Sequence, residues 1–414
     1  MQLKPSTGDL NLGQWLSIIG IHPDGIAGLS GTAAYWLAQA EVLVGSERHL
    51  ALIPPDHRLR ICWRSPLSDT VLDLWQWQDR AVAVLASGDP LWYGVASLIL
   101  QHIPREQVRI LPSLSCFSLM AMRLGWAIAD LETLSLCGRP VAALIPFLAP
   151  RQKILILSAD GHTPTLVAQL LQQQGYGQTR MWVFEHLQAE AETCRPALAQ
   201  DWQDLCQNLN AIALECVAAP DTPIISRQAG LPDQIYQHDG QITKAEVRAV
   251  TLAALAPRPG ELLWDVGAGC GSIAIEWCRS HSRNRAIAIE PHRTPYIAAN
   301  AEFLGATNLQ IVEGTAPLAL AGLEVPDGIF IGGGITSPGI LECCWQALKP
   351  LGRIVANVVT LEGEQVLVNW QQKHGGSLRR ITIERLQPLG KFHRWKAQAP
   401  VTQWVGVKNN LVDH

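Results

Sequence analysis

The chain carries little charge of either sign. Charged residues make up 16% of its 414 positions, and the formal net charge is −4. Such a balance gives no global field that would attract nucleic acid or an anionic membrane, and the sequence has no basic tail or aromatic-basic cluster of the kind that binds RNA. We therefore predict no nucleic-acid partner, and recognition of an acidic ligand must rely on local groups.

Closely spaced cysteine motifs of the metal-binding kind and long apolar runs are also missing. The ten cysteines form no C-x-x-C motif, and Cys343-Cys344 is their only close pair, so we predict neither a metal site nor a disulfide framework. No apolar run approaches the roughly 18 residues that span a bilayer, and residues 1–14 are polar without a secretion signal. These absences predict a cytoplasmic protein with no membrane partner and a flexible N-terminus at 1–14.

Short apolar runs alternate with helix-like segments along the whole chain, which predicts α/β layers. In the first half these runs are 15–20, 81–85, 108–111, 154–157, 181–184 and 211–214. We expect residues 15–218 to form one domain of two lobes, about 15–112 and 113–218. The Pro- and Gly-punctuated stretch 219–237 is typical of a linker, which leaves 238–414 as a second domain.

The second half shows a more regular alternation. A helical pattern runs from Lys244 to Pro257, and apolar runs follow at 262–266, 286–289, 309–312, 328–331 and 353–356. This order predicts a largely parallel, doubly wound sheet. Two further β-prone runs, 378–383 and 401–407, are expected to pair as an antiparallel hairpin at the sheet edge.

A glycine-rich turn follows the run at 262–266 and precedes a helix. Glycines there let the backbone approach a ligand closely, and Glu290, about 20 residues later, can accept hydrogen bonds from ribose hydroxyls. The spacing is G-x-G-x-G rather than the G-x-G-x-x-G of dinucleotide sites, which favours S-adenosylmethionine over a pyrophosphate ligand. The predicted cofactor-binding residues are Gly267, Ala268, Gly269, Cys270, Gly271 and Glu290.

Three further positions belong to the same predicted edge of the sheet. Ala316 follows the third strand, where an adenine ring would lie, and Thr243 is either a cofactor contact or an ordinary helix cap. Gly332, Gly333 and Gly334 end the fourth strand and leave room for a large flat substrate; a flexible loop without ligand contact is the alternative.

The first half contains a second candidate cofactor motif, Ser87-Gly88-Asp89-Pro90, at the end of the run at 81–85. By itself this is a turn sequence. Its companions are Gly20 at the end of the first run and Ser115-Cys116 after Pro112, which otherwise suit a helix N-cap followed by a buried thiol. We predict cofactor contacts at Gly20, Gly88, Asp89, Pro90, Ser115 and Cys116.

The order and spacing of these first-half motifs, with 40–45 and Arg48 between them, resemble the tetrapyrrole methylase family. The stretches 134–140 and 184–187 resemble the subgroup that modifies precorrin-6 intermediates, although Cys137 stands where members usually carry histidine. The second half is similar to the subgroup's class I methyltransferase-like decarboxylating partner, in 241–244, the glycine turn, Glu290, 313–317 and 356–362. Thr315 stands where that family often has aspartate.

The chain is thus identified as a member of the fused, decarboxylating precorrin-6 methyltransferases. The resemblance implies an α/β protein in which a two-lobed tetrapyrrole methylase (class III methyltransferase) domain precedes a Rossmann-like class I methyltransferase domain. It implies one S-adenosylmethionine site per domain, a tetrapyrrole substrate and a homo-oligomer. The first domain would methylate carbon 5; the second would methylate carbon 15 and decarboxylate the ring C acetate.

A substrate rich in carboxylates calls for arginine partners. Arg139 is our substrate candidate, together with the three glycines at 332–334. Arg248, Arg293 and Arg353 are further candidates. All four arginines are candidates by position only, and a solvated surface arginine or a structural ion pair is the stronger alternative for each. His22 is tempting as a base, but a lone histidine in a turn is more often a capping or surface residue, and no catalytic residue is assigned.

Two other functions stay open at this point. The second half could methylate RNA or protein, with the first half as an accessory module. Alternatively, the chain could be a non-catalytic corrinoid-binding scaffold, because a fold does not guarantee a function. The intact glycine turn and Glu290 argue against the scaffold.

Overall fold

The computed structural model describes residues 13–409. Its contacts divide the chain into two compact units, Met1–Arg139 with Pro150–Thr222, and Pro140–Ala149 with Pro223–His414. The predicted flexible N-terminus lies outside the described residues except for its last two positions, of which Gln14 donates a hydrogen bond to the Val108 carbonyl at 3.2 Å.

The first lobe of unit 1 is a five-stranded parallel sheet in the order β3-β2-β4-β1-β5. Its strands are β1 Leu16–Ile21, β2 Val42–Gly45, β3 Leu59–Cys62, β4 Val82–Ser87 and β5 Val108–Leu111. Its helices are α1 Gly31–Gln39, α2 Glu47–Ala51, α3 Leu67–Asp73 and α4 Ala96–Ile99. Because β1, β4 and β5 are neighbours, their carboxyl ends meet at one edge of the sheet.

The second lobe of unit 1 is a mixed sheet in the order β6-β7-β10-β8-β9, in which only the β6–β7 pair is parallel. Its strands are β6 Glu132–Ser135, β7 Lys153–Leu157, β8 Arg180–Glu185, β9 Thr193–Leu198 and β10 Asn210–Glu215, and its helices are α5 Cys116–Leu124 and α6 Thr163–Gln173.

Unit 2 contains a seven-stranded sheet in the order β13-β12-β11-β14-β15-β19-β16. The strands are β11 Leu262–Val266, β12 Arg285–Glu290, β13 Leu309–Glu313, β14 Gly328–Ile331, β15 Arg353–Val358, β16 Ser377–Ile381 and β19 Val401–Val407; β17 Glu384–Leu389 and β18 Phe392–Ala397 form a separate two-stranded ribbon. The helices are α7 Ala245–Leu255, α8 Ser272–Ser280, α9 Thr294–Leu304, α10 Ile340–Ala347 and α11 Leu361–His374. The strand order reverses between β11 and β14, which is where ligands bind in sheets of this kind.

Short 3₁₀ helices complete both units. They lie at Gly25–Gly28, Leu74–Trp77, Arg105–Gln107, Ile128–Asp130, Val141–Phe147, Ala199–Asp201, Asp233–Ile235 and Leu318–Leu320. Within 13–409, no helix combines the length and the apolar character needed to cross a membrane.

The predicted α/β architecture is confirmed, with a parallel sheet for strands β11 to β15. The two final β-prone runs do pair antiparallel at the sheet edge. They are not a simple hairpin, however, because the β17–β18 ribbon is inserted between them. The prediction missed this ribbon because its strands are largely exposed and lack an apolar run.

Candidate active sites

The first candidate site lies where three strands of unit 1 end. A Cβ atom added to Gly20, in β1, would lie 1.9 Å from the Gly88 carbonyl oxygen and 2.7 Å from the Ser113 nitrogen. Ser113 donates its N–H to that same carbonyl at 3.1 Å, and Gly88 has a φ of +56°. Glycine is therefore required at both positions, because any side chain would separate the strand ends.

The residues after these strand ends are held by local hydrogen bonds. Asp89 accepts the Leu91 N–H through Oδ1 at 2.9 Å. Ser115 is the N-cap of α5 and accepts the Ser118 N–H at 3.0 Å. It therefore has the helix-capping role that was the alternative to a cofactor contact. Burial raises the pKa of the Cys116 thiol to about 12, so this thiol stays protonated and unreactive at neutral pH.

A cavity of about 390 Å³ opens beside this edge, within the usual range of ligand pockets of about 300–1,000 Å³. Both lobes of unit 1 contribute to its walls, with aromatic residues such as Trp92, Tyr93 and Phe117. Of the predicted cofactor residues, Gly88, Asp89, Ser115 and Cys116 line it, whereas Gly20 and Pro90 do not. Gly20 instead contacts Gly88, which is a residue of the cavity wall.

Sequence reasoning assigned no role to several polar groups of this cavity. His22, left unassigned, is buried and lines it, and its Nε2 has no hydrogen-bond partner among the described residues. Arg48, His49 and Ser87 meet on another part of the wall: Ser87 Oγ lies 2.9 Å from both Arg48 Nη2 and His49 Nε2. Burial lowers the pKa of His22. Burial and the Arg48 charge lower that of His49 to about 4, so the ring of His49 is neutral at pH 7.

The substrate candidate Arg139 is not part of the cavity wall. It is exposed, donates to the Ser135 carbonyl at 3.2 Å and lies over the Tyr93 ring at 5.5 Å. Cys137 does line the cavity, and its thiol donates to the Ser158 carbonyl at 3.3 Å. A hydrogen-bonding role therefore exists at this position even without histidine.

The second candidate site lies at the strand-order reversal of unit 2. Gly267, Gly269 and Gly271 all have positive φ, of +71°, +59° and +81°. A Cβ atom on Gly267 would lie 2.8 Å from the backbone of Gly333, so the glycine turn and the triple-glycine loop pass each other in close contact. Gly271 is the N-cap of α8 and, as a glycine, offers no side-chain cap, although the Ala274 N–H of the first turn is accepted by Asp265.

Two carboxylates are buried next to this turn. Glu290 is 3% exposed and accepts the Gly269 N–H at 2.9 Å and the His292 N–H at 3.2 Å. Asp265 is fully buried; Oδ2 accepts the Ala274 N–H at 3.0 Å, and Oδ1 has no partner among the described residues. Burial raises the pKa of Asp265 to about 7, and the nearby Glu290 charge adds to that shift. The carboxylates thus fix the turn that begins α8.

A cavity of about 830 Å³ lies against this turn. The fold brings predicted residues from three segments of the chain together on its wall: Thr243, the turn residues Gly267, Ala268, Gly269 and Cys270, and the loop residues Gly332, Gly333 and Gly334. Gly271, Glu290 and Ala316 are not on its wall. Lys244 and not Thr243 is the N-cap of α7, and it makes no side-chain cap. The β17–β18 ribbon contributes Arg385, Gln387 and Lys396, which sequence reasoning missed.

The three arginine candidates of unit 2 form ion pairs with protein carboxylates, which agrees with the structural ion pairs named as the alternative to substrate binding. Arg248 is fully buried and contacts Glu276 at 2.5 Å and Asp233 at 3.3 Å. Arg353 donates to both carboxylate oxygens of Glu261. Arg293 pairs with Asp239 at 2.7 Å. These pairs leave Arg248 and Arg353 no exposed donor to offer a ligand.

The donor set of each cavity fits an S-adenosyl ligand. In unit 2, positive-φ glycines of the wall expose backbone groups beside a helix N-terminus, which suits a carboxylate. In unit 1, an exposed backbone turn lies beside apolar and aromatic walls, which suits a sulfonium and an adenine ring.

Comparison with known proteins agrees with the division into two halves. Residues 16–201 match the family model of tetrapyrrole (corrin/porphyrin) methylases, and residues 234–408 match that of the precorrin methyltransferase domain. Over 402 residues the chain is 44% identical to a precorrin-6Y C(5,15)-methyltransferase (decarboxylating) of Sinorhizobium, covering 95% of this chain and 96% of the relative. A protein of the same name from Mycobacterium tuberculosis is 39% identical over 398 residues, covering 94% and 98%.

Among solved structures, the C-terminal domain of precorrin-6Y C5,15-methyltransferase from Rhodobacter capsulatus is 48% identical. The alignment covers 44% of this chain and 100% of the solved chain, with a TM-score of 0.43.

Proposed function

This chain belongs to the family of decarboxylating precorrin-6Y C(5,15)-methyltransferases, and from that premise we propose how its two units divide the work. The enzyme is an S-adenosylmethionine-dependent C-methyltransferase of cobalamin biosynthesis that acts on a precorrin and decarboxylates it. Unit 1 methylates carbon 5. Unit 2 methylates carbon 15 and removes the ring C acetate carboxylate as carbon dioxide.

Each unit holds its own cofactor site in this proposal, and the presence of one glycine-lined cavity in each unit is the observation that carries it. In unit 1 the contacts come from Gly88, Asp89, Ser115 and Cys116, with Gly20 and Pro90 shaping the turn. In unit 2 they come from Thr243 and from the turn Gly267, Ala268, Gly269, Cys270 and Gly271, with Glu290 reaching the ribose and Ala316 beside the adenine.

S-adenosylmethionine supplies an electrophilic methyl group on its sulfonium, so the protein needs no nucleophile of its own. The apolar wall of the first cavity, with Trp92 and Phe117, excludes water and holds the bridge carbon in place. Positioning and exclusion of water can supply most of the acceleration of such a displacement. The ring of His49 is neutral at pH 7 and therefore adds no charge to the cavity wall.

In unit 2 the triple glycine at 332–334 leaves room for the macrocycle beside the glycine turn. When the C–C bond to the carboxylate breaks and carbon dioxide leaves, the conjugated pyrrole-imine system can itself accept the electron pair left behind, and a proton from water then completes the methyl group. Residues of the wall then need only orient the acetate, and Lys244, Arg385 and Lys396 place positive charge there. Arg385 is already paired with Glu246 at 2.6 Å and Lys244 with Asp233 at 3.8 Å, which leaves Lys396 as the more available group.

The domain limits 15–218 and 238–414, joined by a linker at 219–237, are part of the same proposal. So are a cytoplasmic location, the absence of a nucleic-acid partner and a homo-oligomeric state. The low net charge supports the absence of a nucleic-acid partner, the ten free cysteines support the cytoplasmic location, and the family resemblance supports the homo-oligomeric state.

Mass spectrometry of the tetrapyrrole after incubation with the full-length protein and S-adenosylmethionine tests the function. Precorrin-6B and its cobalt-containing counterpart serve as parallel substrates. Two methyl gains with loss of one carbon dioxide are expected, and the preferred substrate identifies the oxygen-dependent or oxygen-independent route. An unchanged mass in both, while the protein binds S-adenosylhomocysteine, would contradict the proposal and favour an RNA or protein substrate.

A further inference from the structure

Arg48, unlike several other arginines of its lobe, has no acidic partner among the described residues. Elsewhere in the same lobe, Arg58 pairs with Asp56 and Arg64 with Asp73. Within the part of the chain that the structure describes, no carboxylate forms an ion pair with Arg48; its hydrogen bonds go to Ser87 Oγ at 2.9 Å and His49 Nε2 at 3.2 Å. Both contacts use Nη2, so the other guanidinium donors have no described protein partner.

The surroundings of Arg48 explain why an anion would bind there. The lining residues of the first cavity are mostly apolar, and among those described Arg48 is the one with a permanent positive charge. The single lining carboxylate, Asp89, is turned to the Leu91 N–H. A solvent-accessible guanidinium in an apolar cavity, without a counter-ion, is a natural site for a carboxylate, which can accept two parallel N–H bonds.

Ser87 and His49 fix the guanidinium. Ser87 is the last residue of β4, and His49 is buried in α2 with its ring against the same hydroxyl at 2.9 Å. Because β2, which precedes α2, is paired with β4 in the sheet, the fold brings these residues together although 39 positions separate Arg48 from Ser87. Pre-positioning of this kind reduces the entropy lost when a ligand binds.

We propose that Arg48, held by Ser87 and His49, is a carboxylate-binding subsite of the first cavity that takes an acetate or propionate side chain of the macrocycle. This inference rests on the proposed function, since it assumes a tetrapyrrole in unit 1. The same chemistry could come from the methionyl carboxylate of the cofactor, and the experiment separates the two sources.

The test compares Arg48→Met and Arg48→Lys with Arg80→Met in the full-length protein. Arg80 is an exposed arginine of the same lobe that lies over the Trp77 ring at 5.4 Å and is not on the cavity wall. We expect Arg48→Met to raise the KM for the tetrapyrrole in carbon 5 methylation about tenfold or more, with little change in kcat, because the contact is lost equally from ground and transition states. Arg48→Lys should recover part of the loss, and Ser87→Ala should raise KM about fivefold.

Carbon 15 methylation and decarboxylation serve as internal controls and should not change. Binding is measured separately, by fluorescence titration with precorrin-6B and by calorimetry with S-adenosylhomocysteine and 5′-methylthioadenosine, which lacks the carboxylate. Weaker tetrapyrrole binding with unchanged nucleoside binding supports the proposal.

Weaker S-adenosylhomocysteine binding with unchanged 5′-methylthioadenosine binding would overturn the assignment to the macrocycle and place the cofactor carboxylate at Arg48. Equal behaviour of Arg48→Met and Arg80→Met in every titration would overturn the subsite itself. A wild-type protein that binds the tetrapyrrole without turnover would instead count against the proposed function, and the titrations would still decide the role of Arg48.

Discussion

The first cavity is built from the ends of three neighbouring strands, whereas the second is built from one glycine turn and the loop that faces it. In unit 1, Gly20 and Gly88 are pressed together with Ser113, and a second sheet supplies the opposite wall. In unit 2, Gly267 contacts Gly333 and the turn leads directly into α8. Two unrelated sheets therefore both place exposed backbone groups beside a cavity. This arrangement is sufficient because methyl transfer depends on positioning and not on a particular protein nucleophile.

The buried charges differ as well. Unit 2 has a fully buried Asp265, a nearly buried Glu290 and the Arg248–Glu276 ion pair close to its site. The first cavity has the neutral histidines His22 and His49 and the unpaired Arg48. The turn of unit 2 is thus fixed by carboxylates, and the strand ends of unit 1 by backbone contact, so the two units should respond differently to mutation and to pH.

The largest expected effect comes from adding one methyl group to each glycine contact. Gly20→Ala should abolish carbon 5 methylation and spare the reactions of unit 2, because its Cβ would lie 1.9 Å from a backbone oxygen. Gly267→Ala should do the reverse, since it combines a contact of 2.8 Å with a φ of +71°. Product masses provide the measurement: one methyl is missing with Gly20→Ala, and one methyl is missing with the acetate carboxylate retained with Gly267→Ala.

Two matched controls separate the contact from other consequences of alanine. Gly31→Ala adds a Cβ with nothing within 4 Å, and Gly260→Ala adds one in open space at a φ of +90°. Both controls should keep the complete product. If Gly20→Ala or Gly267→Ala lost neither reaction, the strand-end contacts would not define the sites.

The next effect concerns stability and distinguishes unit 2. Arg248→Met should destabilise the protein by about 3–5 kcal/mol, because it leaves the buried Glu276 without its ion-pair partner. Arg285→Met is the exposed counterpart: its pair with Glu324, at 2.6 Å, has side chains that are 48% and 51% exposed. We expect less than about 1 kcal/mol there, and urea unfolding followed by circular dichroism measures both. Equal losses would show that the buried pair has no special role.

A smaller effect, of opposite sign in the two units, should appear with pH. Burial lowers the folded-state pKa of His49 to about 4 from 6.5, so protonation opposes folding and stability is lost as pH falls. Burial raises that of Asp265 to about 7 from 3.8, so ionisation opposes folding and stability is lost as pH rises through that interval.

Unfolding at about pH 5 and about pH 7.5 measures the difference. Compared with His49→Gln, the free energy of unfolding of the wild type should fall by about 2 kcal/mol when the pH is lowered from about 7.5 to about 5. Compared with Asp265→Asn, it should fall by about 2 kcal/mol when the pH is raised from about 5 to about 7.5. Parallel pH profiles for wild type and variant would mean that the residue titrates normally.

The smallest effect is expected at Glu290. Glu290→Gln keeps an acceptor for the Gly269 N–H but removes the charge, and a hydrogen bond to a charged group is stronger than a neutral one. Cofactor affinity in unit 2 should fall about tenfold, while that of unit 1 should not change. Calorimetry with S-adenosylhomocysteine separates the two sites, and an equal fall in both would point to a general loss of folding.

The sequence was informative where the signal is local. Glycines that directly follow an apolar run predicted both turns, and apolar runs predicted most of the buried strands. It was not informative where residues far apart meet: the Arg48–Ser87 contact depends on β2 lying next to β4, and strand order is not visible in a run of residues. The ribbon β17–β18 escaped because Leu386, Phe392 and Trp395 are exposed, so its strands show no clean alternation. Arg248 was a candidate by position only, and tertiary packing buries it completely.

The central claim is that each unit holds its own cofactor site, and calorimetric titration of S-adenosylhomocysteine into the full-length protein tests it most directly. The account predicts two equivalents per chain, reduced to one by Gly20→Ala and to one by Gly267→Ala. A single equivalent in the wild type that one of these variants removes, while the other leaves it intact, would contradict it.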